Sequence, residues 1–410
     1  MSRINVLWAI DHVCYDGDLH GGGRLYWNVL PQFSDRYNII PCMLRASEEV
    51  RRVFKHSPVK PRILDKGKFD LTTLWTFLQL IKREDIHVMH LHCYAASSFG
   101  RLASLLTGVP CIIHDYDTAV YFPYPMYLSI ADRMLSSVTS RAVAASPMVR
   151  DYFIERRKIE PAKVSLALHA IPAEKFDPIA PNRIVELKES WKVDPHTRIV
   201  GTVTKLGPQR GNRLFLRAAS RVLERSPDTV FVVAYKETVY HRQPDQSVSA
   251  NSERESSIKD LQDQAAELGI ADNVRLVEMS DCADELVAAL DLFVAPWLSD
   301  RFSSVQLLEA MASGTPVVAT DIGEQQEIIS DGTDGYLVPT GDEAKLSETI
   351  IAALAQPEWL RRVGEQARMT AEKYSIDSYA RRLEGWYRSL AKRETTGASP
   401  AHKQSRTDTT

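Results

Sequence analysis

The 410-residue chain is poor in several things, and each lack excludes something. It has no long hydrophobic run: no apolar stretch approaches the ~18–20 residues needed to cross a bilayer. It has no paired cysteines. Cys14, Cys42, Cys93, Cys111 and Cys282 are scattered, odd in number and never spaced C-x-x-C. That excludes a zinc or disulfide framework and fits reduced thiols. It has no excess of one charge: Lys+Arg 50 against Asp+Glu 53 leaves a formal net charge of −3. A dedicated nucleic-acid binder normally shows a strong basic excess, so no nucleic-acid partner is expected. The N-terminus reads MSRINVLWAIDHV. Asp11 and His12 interrupt its apolar run and no small-residue cleavage site follows, so no secretory leader is expected. The expected location is cytoplasmic, with peripheral attachment to a membrane left open.

What is present is ordinary soluble-protein material: 44% hydrophobic and 25% charged residues. At about 150 residues per domain, the length allows two to three domains. Short apolar runs alternate with longer helical patterns. INVLWAI (4–10), HVMHLH (87–92), CIIH (111–114), AVAAS (142–146) and VSLAL (164–168) read as strands. The pattern restarts with RIVGTV (198–203), then TVFVVAY (229–235), VRLVEM (274–279), LFVAP (292–296), TPVVATD (315–321) and GYLVP (335–339). Strands separated by helices imply βαβ units and parallel sheets. Two such sets predict an α/β chain of two doubly wound domains. FDPIAPNRI (176–184), rich in proline, marks the joint. The expected division is 1–180, 181–374, a returning helix at 375–394 and a disordered tail at 395–410, which lacks large apolar residues. SVSANSERESS (247–257) reads as a polar loop.

In doubly wound domains, ligands bind at the carboxyl ends of the strands. Four loops there carry chemistry. TKLGPQRG (204–211) sets Lys205 and Arg210 around a Gly207-Pro208 turn, which can aim two cations at a diphosphate. Two solvated surface cations are the plain alternative. APWLSDRFSSVQLLEAMASGTPVVATDIG (295–323) runs from a strand into a helix starting near Ser303 or Ser304. Either serine suits an N-cap, and the helix start suits an anion. Glu309 lies about two turns along, among Leu307, Leu308, Ala310, Met311 and Ala312. An acid there needs hydrogen-bond donors, and a ribose diol or a core partner would supply them.

The third loop, His12–Gly23, carries Gly21, Gly22 and Gly23 before a helix expected near Arg24. Three glycines admit close backbone approach, although G-x-G-x-x-G is not formed. The fourth, HDYDTAVYFPYPMY (114–127), sets His114, Asp115, Tyr116 and Asp117 at a strand end, followed by Tyr121, Phe122, Tyr124 and Tyr127. The aromatics suit a sugar-stacking or membrane-facing surface, or plain packing on their own domain. Asp16-Gly17-Asp18 and Asp115-Tyr116-Asp117 match a loose D-x-D pattern. No His or Glu partner falls at ligand spacing, so neither a metal nor a cofactor is expected.

Together these loops resemble the retaining glycosyltransferases of family 4, over nearly the whole chain apart from the tail. LLEAMASGTPVVATDIGEQQEIISDGTDGYLVPTGD (307–342) is the most specific part. TKLGPQRG, HLH (90–92) with GVP (108–110), and LALHAIPAEKF (166–176) support it. The resemblance implies a GT-B architecture: two doubly wound Rossmann-like domains with parallel sheets facing across a cleft. It implies transfer of a sugar from a nucleoside diphosphate sugar to an acceptor hydroxyl with retention, the acceptor being a carbohydrate, glycolipid or natural product. Lys205 and Arg210 stand for the family's diphosphate-binding arginine and lysine, with the identities exchanged. Glu309 stands for the second of its paired glutamates. Gly21 to Gly23 match its N-terminal glycine loop, and His114, or Tyr116 two residues on, its histidine on the reacting side. The first glutamate falls on Arg301, beside Asp300. Arg301 implies either an acidic donor sugar or weakened transfer. Two further readings follow: a nucleotide-sugar-binding scaffold without transfer, and another GT-B enzyme such as a nucleotide-sugar epimerase. A phosphorylase would need a phosphate or pyridoxal site, and no loop demands one.

Overall fold

A computed structural model describes residues 3–15, 18–19, 21–55, 59–116, 126–176, 179–236, 258–279, 283–300 and 303–395. The first domain holds β1 (Ile4–Ile10), a small antiparallel pair β2 (Cys14–Tyr15) and β3 (Asp18–Leu19), then β4 (Tyr37–Met43), β5 (Arg62–Ile63), β6 (Val88–His92), β7 (Cys111–Asp115), β8 (Arg141–Ala144) and β9 (Val164–Leu166). Seven of these form one parallel sheet in the order β5-β4-β1-β6-β7-β8-β9. The second domain holds β10 (Ile199–Lys205), β11 (Val230–Lys236), β12 (Val274–Glu278), β13 (Leu292–Ala295), β14 (Val317–Thr320) and β15 (Tyr336–Val338). They form a parallel sheet in the order β12-β11-β10-β13-β14-β15. Strand order reverses between β1 and β6 in one sheet and between β10 and β13 in the other. Those are the switch points where a crevice opens.

Helices cover both faces of each sheet, which is why the strands read as continuous apolar runs. Side chains still alternate along each strand. Leu7 and Ala9 pack with Phe77, Leu80 and Phe99 on one face. Val6, Trp8 and Ile10 pack with Tyr26, Leu383 and Tyr387 on the other. In the second sheet, Ile199 and Val203 face Leu307 and Met311, while Val200 faces Phe215 and Leu346.

The chain passes between the domains twice, and the two passages pair. The Ile171 amide donates to the Tyr374 carbonyl at 3.0 Å, and the Ile376 amide to the Ile171 carbonyl at 2.9 Å. The helix Ile376–Thr395 then lies on the first domain, burying Tyr379, Leu383 and Tyr387. Glu384 fastens it: its carboxylate accepts from the Ser34 amide at 2.7 Å, and its carbonyl from the Tyr37 hydroxyl at 2.9 Å. Among the described residues, no helix is long and apolar enough to cross a membrane.

Two local readings need correction. β4 escapes the sequence pattern because Pro41 interrupts YNIIPCM; the strand tolerates it because β5 pairs with β4 only at Cys42 and Met43, beyond the proline. Gly21–Gly23 are the first turn of the helix Gly21–Val29, not a loop ahead of Arg24. The glycines are needed for closeness: a Cβ on Gly22 would lie 2.7 Å from Tyr116 ring carbons, and one on Gly23 would enter the Val13 carbonyl.

Candidate functional site

The switch point of the second sheet is built from two loops that touch. β10 ends at Lys205, a short turn Pro208–Arg210 follows, and the helix Asn212–Leu223 begins. Its N-cap is Gly211, at φ 73°. A Cβ there would lie well under 3.0 Å from the Pro296 carbonyl oxygen, just past β13. The contact is backbone on backbone, so only glycine fits. The Leu298 amide donates to the Gln209 carbonyl at 2.9 Å. The Arg210 guanidinium lies 6.0 Å from the centre of the Trp297 ring. The cationic turn after β10 is thus fastened to the loop after β13. The Lys205 side chain lies outside the described residues.

Buried polar atoms without partners gather here. Asn212, 1% exposed, has no hydrogen-bond partner for either end of its side-chain amide. The Ser304 hydroxyl, on a fully buried residue, has none either. Such atoms are costly unless something fills them. Ser304 precedes the helix Val305–Ala312, but its side chain makes no capping bond. The expected serine cap is replaced: the Ser304 amide donates at 2.7 Å to Glu324, a buried carboxylate 20 residues on. Ser303 lies ahead of this helix and Glu309 within it, and both are half-buried. Asp300 is exposed, its backbone packed against Gly323. Arg301 lies outside the described residues.

The equivalent point of the first sheet is already occupied. Asp11, one residue past β1, accepts from the Ala95 and Ala96 amides at 3.0 and 2.7 Å, at the start of the helix Tyr94–Thr107. Burial pushes its carboxyl up to about 6, against those two amides. A negative group of the protein's own therefore holds the anion position of this domain.

Beside it, aromatic rings stack across the strand ends. Trp8 stacks on His90 and His92, and His114 stacks on His90 and Tyr116. His90 is hydrogen-bonded to Tyr387 at 2.5 Å and to His114 at 3.3 Å; the other His114 nitrogen meets Tyr379 at 3.3 Å. Burial pushes His90 down to about 3, and pushes His92 and His114 far down as well. All three are neutral. Their ligand atoms lie within 4.8 Å of one another. A metal-bound imidazole holds its ion in the ring plane, and the His90 and His92 rings are stacked 4.4 Å apart at 21°. Planes so nearly parallel do not converge within the ~2.0–2.1 Å of a metal–nitrogen bond, so the cluster does not suit a shared metal. His114 is sealed beneath the returning helix. Tyr116, half-buried past the end of β7, is the member that reaches Gly22.

Asp115 does other work. Arg157 pairs with Asp115 and Asp132, and Asp132 also with Arg101, all four buried. The first half of that D-x-D is thus an ion pair of the core. Asp117, Tyr121, Phe122, Tyr124, the Asp16–Gly17 pair, the 247–257 stretch and residues 396–410 lie outside the described residues.

The carboxyl ends of the two sheets face one another. His169, beyond β9, lies 3.5 Å from Glu324, beyond β14. Arg150 lies 3.3 Å from Glu327. Glu324, His169, Asn212 and Asp11 were not singled out in the sequence. Gly211 beside Asn212 was the only local signal; the other partnerships join residues far apart in the chain.

Residues 184–370 match the family model for glycosyl transferases group 1, and residues 34–167 that for a glycosyl transferase 4-like domain. The lipopolysaccharide core biosynthesis mannosyltransferase LpsB of Rhizobium meliloti (strain 1021) is 30% identical over 229 residues, 55% of this chain and 61% of that protein. The match thus spans less than two thirds of that relative. The alpha-D-kanosaminyltransferase of Streptomyces kanamyceticus is 25% identical over 374 residues, 86% of this chain and 92% of that one. A glycosyltransferase structure from Rickettsia africae has a TM-score of 0.76 at 15% identity, covering 96% of this chain and all of that one. Anabaena HepE in complex with UDP gives the same score and identity over 94% of this chain and 100% of that one. At such identity the structures speak for the fold, which is GT-B.

Proposed function

We propose that this chain, a glycosyltransferase of GT-B architecture, moves a sugar from a nucleoside diphosphate sugar to an acceptor hydroxyl with retention at the anomeric carbon. The donor lies on the second domain. The observation that carries this is the joined pair of loops at the β10/β13 switch point, with Arg210, the glycine at 211 and the unpartnered Asn212 and Ser304 side chains. Lys205 and Arg210, with the helix start at Ser303/Ser304, stabilise the departing diphosphate. This is charge stabilisation where charge develops, and each such group is worth ~2–4 kcal/mol in the transition state. Glu309 holds the ribose. Asp300, with Arg301 beside it, faces the transferred sugar.

The acceptor enters over the first domain, past Gly21–Gly23 and Tyr116, with His114 buried behind Tyr116. With Asp11 filling that domain's anion position, the first domain suits a hydroxyl acceptor better than a second diphosphate. Domain closure excludes water from the reacting atoms. The names of the relatives suggest a carbohydrate, glycolipid or natural-product acceptor.

The test uses the purified full chain. A thermal-shift panel of UDP-, GDP-, ADP- and dTDP-sugars selects a donor, and proton NMR reads the anomeric configuration of the product. At least one shift and a retained configuration are expected. No shift with any donor would overturn the donor site, and an inverted product would overturn retention. Binding without transfer or hydrolysis would overturn the enzymatic reading and leave the nucleotide-binding one.

A further inference from the structure

Each domain sets a carboxylate of its own at the start of the helix beside its switch point, and the two are held differently. In the first domain Asp11 turns both oxygens to that helix: the Ala95 and Ala96 amides donate to it at 3.0 and 2.7 Å. In the second domain Glu324 turns only one. Its Oε2 accepts from the Ser304 amide at 2.7 Å, while its Oε1 faces the other domain, 3.5 Å from Nδ1 of His169. Asp11 is fixed within its own domain, and Glu324 is divided between two.

The helix start that Glu324 holds is not saturated. The helix Val305–Ala312 opens without a side-chain cap. The Ser304 hydroxyl, on the same residue as the bonded amide, is fully buried and has no partner. Neither oxygen of Glu324 takes it. A buried hydroxyl left so is costly, and an incoming oxygen would relieve it. A phosphate group suits this place better than a carboxylate that must also face His169, because it accepts from the amide and the hydroxyl at once. Gly323, at φ 59°, packs its backbone on Asp300, 3.1 Å from an added Cβ. The backbone ahead of Glu324 is thus held against the loop after β13, and it is the side chain that can turn.

His169 is placed to receive that side chain. It is buried beyond β9, and its ring centre lies 6.1 Å from that of Tyr116. Tyr116 in turn closes on Gly22, where an added Cβ would meet its ring at 2.7 Å. A line of contacts therefore runs from the helix start at Ser304 through Glu324, His169 and Tyr116 to the glycine turn of the first domain.

We propose that Glu324 is a positioning residue that competes with the donor's diphosphate for the Ser304 amide. The diphosphate takes the amide and the hydroxyl, and the displaced carboxylate turns wholly to His169, drawing the two domains together. One amide hydrogen cannot serve two anions, so the diphosphate's affinity includes the free energy of moving Glu324. Donor binding and closure of the cleft are then a single event. The inference rests on the donor reading above and adds how that site is regulated.

The experiment is calorimetric titration of inorganic diphosphate into the full chain. Glu324→Gln keeps an acceptor for the Ser304 amide, and with it the fold, but exchanges a charged hydrogen bond for a neutral one. It should bind diphosphate at least about fivefold more tightly than the wild type. Glu327→Gln removes the same charge three residues on, from the pair with Arg150, and should bind like the wild type, which separates displacement from a general loss of repulsion. With the nucleotide sugar chosen by the thermal-shift panel, Glu324→Gln should lower KM and kcat together, because the neutral side chain draws less strongly on His169. A merely structural role would weaken binding and leave no such split. Diphosphate bound equally or more weakly by folded Glu324→Gln would overturn the proposal; if Arg210→Ala weakens binding in the same series, the donor reading stands without it. Tighter binding by Glu324→Gln while Arg210→Ala has no effect would support the proposal and remove Arg210 from the site. Tighter binding with kcat unchanged would overturn the link to closure.

Discussion

Replacing Gly211 by alanine probes the junction on which the donor site depends. Two penalties combine. At φ 73° a residue with a Cβ costs about 1–2 kcal/mol. The new Cβ also meets the Pro296 carbonyl far inside the 3.0 Å that real Cβ atoms keep. Neither side is a flexible side chain, so the two loops must part, and overpacking of this kind costs roughly 1–3 kcal/mol more. Gly269 is the control, with φ 70° and nothing within 4 Å of an added Cβ. Gly269→Ala should lose only the first penalty and keep donor affinity. Gly211→Ala should lose about 2–5 kcal/mol in urea unfolding. Because parting the loops shifts Arg210 from Trp297 by ~1 Å, turnover should fall by the order of a hundredfold. A Gly211→Ala protein matching Gly269→Ala in stability, with donor binding and turnover intact, would refute the reasoning.

Other perturbations follow from the buried groups. Arg157→Ala leaves Asp115 and Asp132 short of a buried cation and should cost about 3–5 kcal/mol in chemical denaturation; a loss under about 1 kcal/mol would contradict the ion-pair reading. Glu324→Ala removes the acceptor of the Ser304 amide and the partner of His169, and should cost roughly 1–3 kcal/mol, with an unchanged unfolding midpoint counting against it. Acid should weaken the fold. His90, His92 and His114 are held neutral and take up protons on unfolding below the ordinary 6.5, so the unfolded state binds more protons and stability falls as pH drops through that window. Asp11 and Asp115, pushed above the ordinary 3.8, oppose this by binding protons first in the fold. A net one to two protons gives about 1.4–2.8 kcal/mol per pH unit near pH 5. His90→Gln should remove about one proton from that slope, and a flat stability between about pH 7 and 5 would contradict the neutral histidines.

Much of the fold was legible because parallel strands covered on both faces must be apolar throughout. That requirement made β1, β10, β11 and β13 visible as runs. It failed at β4, where Pro41 breaks the pattern, and at β5, which is two residues long. In the site, Arg210 and Gly211 were legible as a turn after a strand. The Gly21–Gly23 helix start was not, because its cause is the close approach of Val13 and Tyr116. His114 and Tyr116 were indistinguishable in sequence; what separates them is Tyr379 and its helix, 265 residues from His114. Glu324 capping the Ser304 amide was hidden for the same reason: a hydrogen bond across a turn of the fold leaves no local spacing.

The central claim is that the β10/β13 loops hold the donor. The most direct measurement is calorimetric titration of the nucleotide sugar chosen by the thermal-shift panel into the wild type, Arg210→Ala and Glu309→Ala. Loss of one charge-assisted bond of roughly 1.5–3 kcal/mol predicts affinity falling more than about tenfold in each variant. Saturable binding unchanged in both would contradict the account and move the donor elsewhere.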